Sequence, residues 1–390
     1  MKNKTRLLLR DAFFSTILSS IIVLVLVLVF FNLRWFNPIH KAFYDFSFLD
    51  VFYSEKFLEP EKINTDIVLV NAGHDREKIV ELLGKIIEAK PKVIGVDVIF
   101  KDRKEDVYVD SILAELLKND NIITSYEIDK NSITPNHPYF GNSKSGFVNF
   151  NLDSTTVVRE FEGYSEIDGR DRASFATQLA NYHLREKWND YNYNLRLRRP
   201  QTVKYSGKYD SFLYLEYDDF NAYEKKQILK DKIVILGYLG KPTGNEFDIE
   251  DKHFTPLNEY PVGKSVPDMY GTTIHANIVN MLIKNDLMVT ISNTWLVIIT
   301  FLSMYLSTLF YMKINRKYKI SFRTRKRTFQ FFTSIFIIFL SFWLLKLNVV
   351  LKPTIILVGI ILAGSYFKYY KHLTRYLKSK TNKKWKTYLK

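Results

Sequence analysis

The segment Ala12–Leu33 constrains this chain most. It is 22 consecutive residues without a charge, and its middle, Ile21 to Phe31, is aliphatic or aromatic throughout. A helix of that length rises roughly 30 Å, the hydrocarbon thickness of a bilayer. One Lys or Arg at its centre would cost about 2.5–3.5 kcal/mol, so the clean composition is informative. The run is longer than a signal-peptide core and no small-x-small cleavage site follows it, which favours a retained anchor. Leu287–Met312 and Thr328–Leu345 are also free of charge. Pro353–Tyr370 is shorter in apolar content and contains Lys368, whose stem must snorkel. The pattern predicts four α-helical transmembrane segments at 12–33, 287–312, 328–345 and 353–370. The last two are joined by a tight connection.

Charge then predicts sidedness. The chain carries a formal +15, but three stretches (Met1–Asp11, Lys313–Arg327 and Lys368–Lys390) hold 21 of its 56 basic residues and one acidic residue, Asp11. The remainder has 35 basic and 40 acidic residues. The basic excess therefore belongs to membrane flanks and does not argue for nucleic acid. The positive-inside bias places the N-terminus (1–11), the loop 313–327 and the tail 371–390 in the cytoplasm, and residues 34–286 outside it. The sequence contains no cysteine, which removes disulfides, thiolate metal ligands and a cysteine nucleophile.

The intervening 250 or so residues alternate buried-strand and amphipathic-helix patterns. Asp66–Val70, Val93–Phe100, Asn121–Tyr126 and Ile233–Gly237 read as buried strands. Asp75–Ala89, Ser111–Leu117, Arg170–Leu184 and Thr272–Ile283 read as helices, and Asp190–Tyr217 as irregular strands and loops. This alternation predicts an α/β domain with a mostly parallel sheet.

Its chemistry-bearing residues are few. Gly263-Lys-Ser265 lacks the upstream glycine of a phosphate-binding loop, since that position is Asn258. No nucleophile-elbow, zinc-helix or EF-hand pattern occurs. The densest polar cluster, Glu246 to His253, has four carboxylates and one histidine. It reads either as a hard-cation or ligand site or as a solvated loop held by local side-chain to backbone hydrogen bonds. Asp97, inside an apolar strand, is either a pocket residue at a strand end or a structural acceptor. His275 and Asn277 either cap the last helix or meet that loop. The candidate ligand-binding set is Asp97, Asp251, His253, Thr255, His275 and Asn277. No metal site, cofactor or enzymatic activity is assigned.

Several segments resemble the type 2 CHASE domain, a bacterial extracytoplasmic sensory module of membrane receptors. They are Asp66–Val70, Val93–Phe100, Gly146–Asn149 with Val157–Arg159, Lys232–Gly237, Asp251-x-x-Phe-Thr-Pro256, and Met269–Leu282 with its Gly271-x-x-x-His275-Ala276 helix start. The resemblance covers about residues 44–283 and departs at Asn71-Ala-Gly-His74, where the family has an Ile-Asp pair. It implies an N-terminal span, the sensory domain and further spans, on kinases or cyclases. Here only His372–Lys390 follows the last apolar segment, too short for a catalytic core. The resemblance thus implies a sensor in the bacterial cytoplasmic membrane. It would perceive an unknown extracytoplasmic ligand and relay it to a separate cytoplasmic or membrane signalling partner. The alternative is a structural or envelope-assembly membrane protein that uses the same domain as an interaction platform.

Overall fold

The computed structural model describes residues 2–32, 47–55, 62–104, 107–129, 132–141, 144–150, 157–221, 227–258, 266–318, 321–381 and 386–389. The Gly263-Lys-Ser265 segment lies outside the described residues. The chain divides into two compact units, 44–288 and 1–43 with 289–390.

In the first unit, α2 (Phe48–Ser54) precedes β1 (Asn64–Asn71), α3 (Arg76–Glu88), β2 (Val93–Asp97), α4 (Val107–Leu116), β3 (Ile122–Asp129), β4 (Ser132–Thr134) and β5 (Lys144–Phe147). There follow β6 (Glu160–Phe161), β7 (Tyr164–Ile167), β8 (Arg170–Ala173), α5 (Phe175–Leu184), α6 (Lys187–Asp190), α7 (Tyr193–Arg196), β9 (Gln201–Thr202), β10 (Phe212–Leu215), β11 (Ile233–Gly237), β12 (Lys252–His253), β13 (Met269–Tyr270) and α8 (Gly271–Ile283). The main sheet runs β10-β1-β11-β2-β3-β4, with β5 also on β3. All its pairings are parallel except β3–β4. The domain is therefore α/β with a mostly parallel sheet.

Helices cover both faces. The apolar stripe of α3 (Ile79, Leu82, Leu83, Ile86) and Leu113 of α4 pack on Val68, Val70, Ile94, Val96, Val234 and Leu236. On the opposite face lie α5 and α8. There the sheet needs small residues. A Cβ on Gly95 would sit 2.7 Å from the Phe175 ring, and one on Gly146 would sit 2.5 Å from the Phe175 backbone nitrogen.

Two elements differ from the sequence expectation. Arg170–Leu184 is not one helix, because Asp168 and Gly169 take positive φ angles of 51° and 68° and turn the chain into the β7–β8 hairpin. The helix starts only after Ser174, whose hydroxyl caps the Thr177 amide. Within Asp190–Tyr217, β10 is an edge strand of the main sheet, paired to β1 with a register shift between Asn64 and Val68, and two short helices precede it.

The second unit contains α1 (Lys2–Asn32), β14 (Val289–Thr290), α9 (Asn293–Lys317), α10 (Phe322–Lys346), β15 (Val349–Val350) and α11 (Pro353–Lys380). All four helices are long and apolar enough to cross a membrane. Glycines allow close approach, with Gly359 against Thr300 and Met304, and Gly364 against Tyr311 and Gln330. Phe331, Phe332, Phe336, Phe339 and Trp343 of α10 stay exposed, which suits a lipid-facing surface. The strand β14, directly before α9, pairs in parallel with β15 in the α10–α11 connection. Val289 N donates to Asn348 O at 2.7 Å and Ile291 N to Val350 O at 3.1 Å.

Candidate ligand site at the start of the last domain helix

The carboxyl ends of parallel strands are where open α/β sheets present binding groups. Here that row reads Asn71, Gly237 and Asp97, in register on β1, β11 and β2. Gly237 is required there, because a Cβ would lie 2.1 Å from Thr272 Oγ1 and 3.1 Å from Asp97 Cβ. The space brings the first turn of α8 onto the sheet edge, where Thr272 Oγ1 donates to Asp97 Oδ2 at 2.7 Å.

Asp251 reaches the same helix start from the other side. Its backbone takes φ +55°, its carbonyl accepts from Gly271 N at 3.0 Å, and its carboxylate lies against Gly271, which has no side chain to obstruct it. Antiparallel β12–β13 pairing holds this geometry, with Lys252 opposite Tyr270 and His253 opposite Met269. His253 meets the Phe150 ring edge-on at 5.1 Å, and Phe150 lies 4.7 Å from His275. His275 is one turn beyond Gly271, and its Nδ1 has no hydrogen-bond partner among the described residues.

Burial pushes both carboxyls above their ordinary range. For Asp97 the Thr272 hydrogen bond and His253 partly oppose this. For Asp251 the charge of Asp97 adds to it, although the residue keeps an exposed surface. Burial lowers His253, and lowers His275 to about 3, so the His275 imidazole is neutral. The result is two carboxyls held above their ordinary range beside two imidazoles whose neutral form is favoured, all at the first turn of α8.

The other members of the candidate set have internal partners. Thr255 caps a turn: its N and Oγ1 donate to Asp268 at 2.8 and 2.7 Å. Asn277 accepts from Ser206 N at 2.7 Å and donates to Gly207 O and Thr273 O, both at 2.9 Å. The Glu246–His253 cluster also separates. Asp248 turns back on its own loop, accepting from Tyr238, Lys241 N and Glu250 N. Glu250 faces His74 at 3.3 Å, and only Asp251 points to the helix. Among the described residues no group of three or more His, Cys, Asp or Glu is arranged to hold a metal ion. Sequence reasoning missed Thr272, Phe150 and Asn71. Asn71 fixes the glycine loop by donating to Gly240 O at 2.7 Å and Thr243 Oγ1 at 2.8 Å. Only the Gly-Thr-Thr opening of the helix hinted at Thr272.

The rest of α8 is buried from Gly271 to Leu282, and its two asparagines are tied to neighbouring segments. Asn280 donates to Ser206 Oγ and accepts from Asn64, both at 2.8 Å. At its far end Tyr193 Oη donates to Leu282 O at 2.7 Å, and Lys204 pairs with Asp286.

A family model for the CHASE2 domain matches residues 21–310. The chain belongs to the CHASE2 domain family. That family comprises sensory domains of membrane receptors, and its match takes in the acid pair, the Gly271-x-x-x-His275-Ala276 helix start and the parallel sheet that positions them. No curated protein and no solved structure matches the chain.

Proposed function

We propose that this CHASE2 protein is a membrane-embedded sensor without catalytic activity of its own. It perceives a signal outside the cytoplasm and relays it to a separate signalling partner. The observation that carries this is the placement of α8. Its first turn holds the acid site through Thr272, and six positions beyond its end the chain enters β14, which is hydrogen-bonded to the α10–α11 connection. A ligand that favours one position of the first turn over another shifts the population of the helix as a whole. The covalent path then delivers that shift to α9 directly and to α10 and α11 through the β14–β15 ladder.

In this reading the domain 34–286 faces the outside of a bacterial cytoplasmic membrane, and both ends of the chain are cytoplasmic. The charge bias of the flanks supports that orientation. Basic residues near anionic headgroups contribute about 1 kcal/mol each. The ligand contacts proposed are Asp97, Asp251, His253 and His275, with Thr255 and Asn277 holding the surrounding backbone. Crosslinking the full chain in its native membranes, followed by identification of what co-purifies, tests the proposal. Recovery of a kinase, cyclase or regulator supports it. Recovery of envelope-assembly proteins alone replaces it with the platform reading.

A further inference from the structure

Asp11 is the one acidic residue in the basic N-terminal stretch, and it is fully buried in α1. Its carboxylate is surrounded by donors. Thr387 Oγ1 and Tyr388 N each donate to Oδ2 at 2.6 Å, Tyr370 Oη to Oδ1 at 3.3 Å, and Arg10 to Oδ1 at 2.8 and 3.1 Å. Two of these donors come from a segment some 376 positions away in sequence. That segment, Lys386–Leu389, is held at further points. Arg10 binds Lys386 O, and Arg316 of α9 donates to Tyr388 O at 3.3 Å with its guanidinium 4.5 Å from the ring centre. Leu389 is buried with Leu8, Ala12, Met312, Phe367 and Tyr370.

These contacts have the form of peptide recognition. A buried carboxylate reads a backbone N–H and a neighbouring hydroxyl, an arginine reads the next carbonyl and ring, and an apolar socket takes a leucine. The geometry points to a peptide-docking socket at this end of the helix bundle, with the chain's own Lys386–Leu389 as its occupant and a releasable latch. The socket is built from α1, α9 and α11 at once, so it exists only while these helices keep their relative positions. A shift of α1 against α9 separates the Asp11 and Arg316 grips. It frees both a Thr-Tyr-Leu segment and a socket that a partner carrying a hydroxyl residue two positions before leucine would fit.

The absence of native cysteine makes the test direct. Single cysteines replace Lys386, which is exposed, or Leu389, which is buried, in the full chain in detergent, and maleimide labelling rates are compared. The docked latch predicts at least 10-fold slower labelling of Leu389→Cys. Asp11→Ala should bring that rate to within about 2-fold of Lys386→Cys, and excess peptide Trp-Lys-Thr-Tyr-Leu-Lys should accelerate it by competition. Should Asp11→Ala not fold, Thr387→Val removes one grip and should raise labelling several-fold. Equal rates at the two positions in the otherwise unaltered chain overturn the latch. Protection that neither variant nor peptide relieves shows a permanent packing contact and overturns the releasable socket.

Discussion

Arg159→Met removes one member of a buried ion pair that fixes the segment entering the domain. Arg159 Nε and Nη2 donate to Asp50 Oδ1 and Oδ2 at 2.9 and 2.7 Å, a bidentate fork. The side chains are 9% and 3% exposed. Asp50 also closes the capping box of α2, accepting from Ser47 N at 3.1 Å. Removing the cation leaves a buried carboxylate whose compensation is lost, which costs about 3–5 kcal/mol. For a unit of this size each kcal/mol lowers Tm by about 2–4 °C, so the loss corresponds to roughly 6–20 °C. Most of the penalty comes from the stranded charge, so Asp50→Asn combined with Arg159→Met should be less destabilised than the sum of the singles. The assay is the unfolding transition of the full chain in nanodiscs, followed by near-UV circular dichroism. A Tm for Arg159→Met within 2 °C of the parent, or strict additivity in the double variant, refutes the reasoning.

Other consequences are measurable in the same way. The acid pair has raised pKa values in the fold, so its stabilisation is complete below the ordinary carboxyl range near 4 and fades as pH rises through the folded values. His275 and His253 act oppositely, contributing stability above about 6.5 that is lost on acidification. The parent-minus-Asp97→Asn difference in Tm should therefore grow between about pH 8 and pH 5, and a flat difference contradicts the pair. Gly146→Ala forces a Cβ to 2.5 Å from the Phe175 backbone, so it should separate β5 from α5 and cost more than the usual ~1 kcal/mol of a point substitution, read as a large Tm loss. Tyr193→Phe leaves Leu282 O and Asn285 without their phenol donor and should cost about 1–3 kcal/mol by the same measurement. For sidedness, a cysteine at Phe247, which is 92% exposed, should react with impermeant maleimide on intact cells, whereas one at exposed Lys378 should react only after permeabilisation.

The parallel sheet was legible because its strands are short apolar runs buried on both faces, and the four long apolar helices because their apolar length is unmistakable. What escaped the sequence was set by distant partners. The strand character of β10 comes from lying beside β1, with Leu213, Tyr214 and Leu215 opposite Val68, Leu69 and Val70, and nothing in its Tyr-rich surroundings signals that. The β7–β8 hairpin did carry a local signal, Asp168-Gly169, which a helical reading of Arg170–Leu184 overrode. At the site, Asp97 and Asp251 stood out as carboxylates in telling places. Spacing cannot show that Thr272, 175 positions from Asp97, would be its donor, or that Asn277 would be committed to the 206–207 backbone. Of the two readings of Glu246–His253, the locally hydrogen-bonded loop holds for Asp248, while Glu250 faces His74 and Asp251 lies against Gly271.

The proposed relay is best tested across the β14–β15 ladder. Cysteines at Val289 and Val349, which are register partners, are introduced into the otherwise cysteine-free chain in nanodiscs. Their disulfide crosslinking rate is compared between the parent and Thr272→Val, which removes the donor to Asp97 at the far end of α8. Transmission along α8 predicts a several-fold change in rate with the fold intact, and an unchanged rate contradicts the claim that the domain signals through this helix.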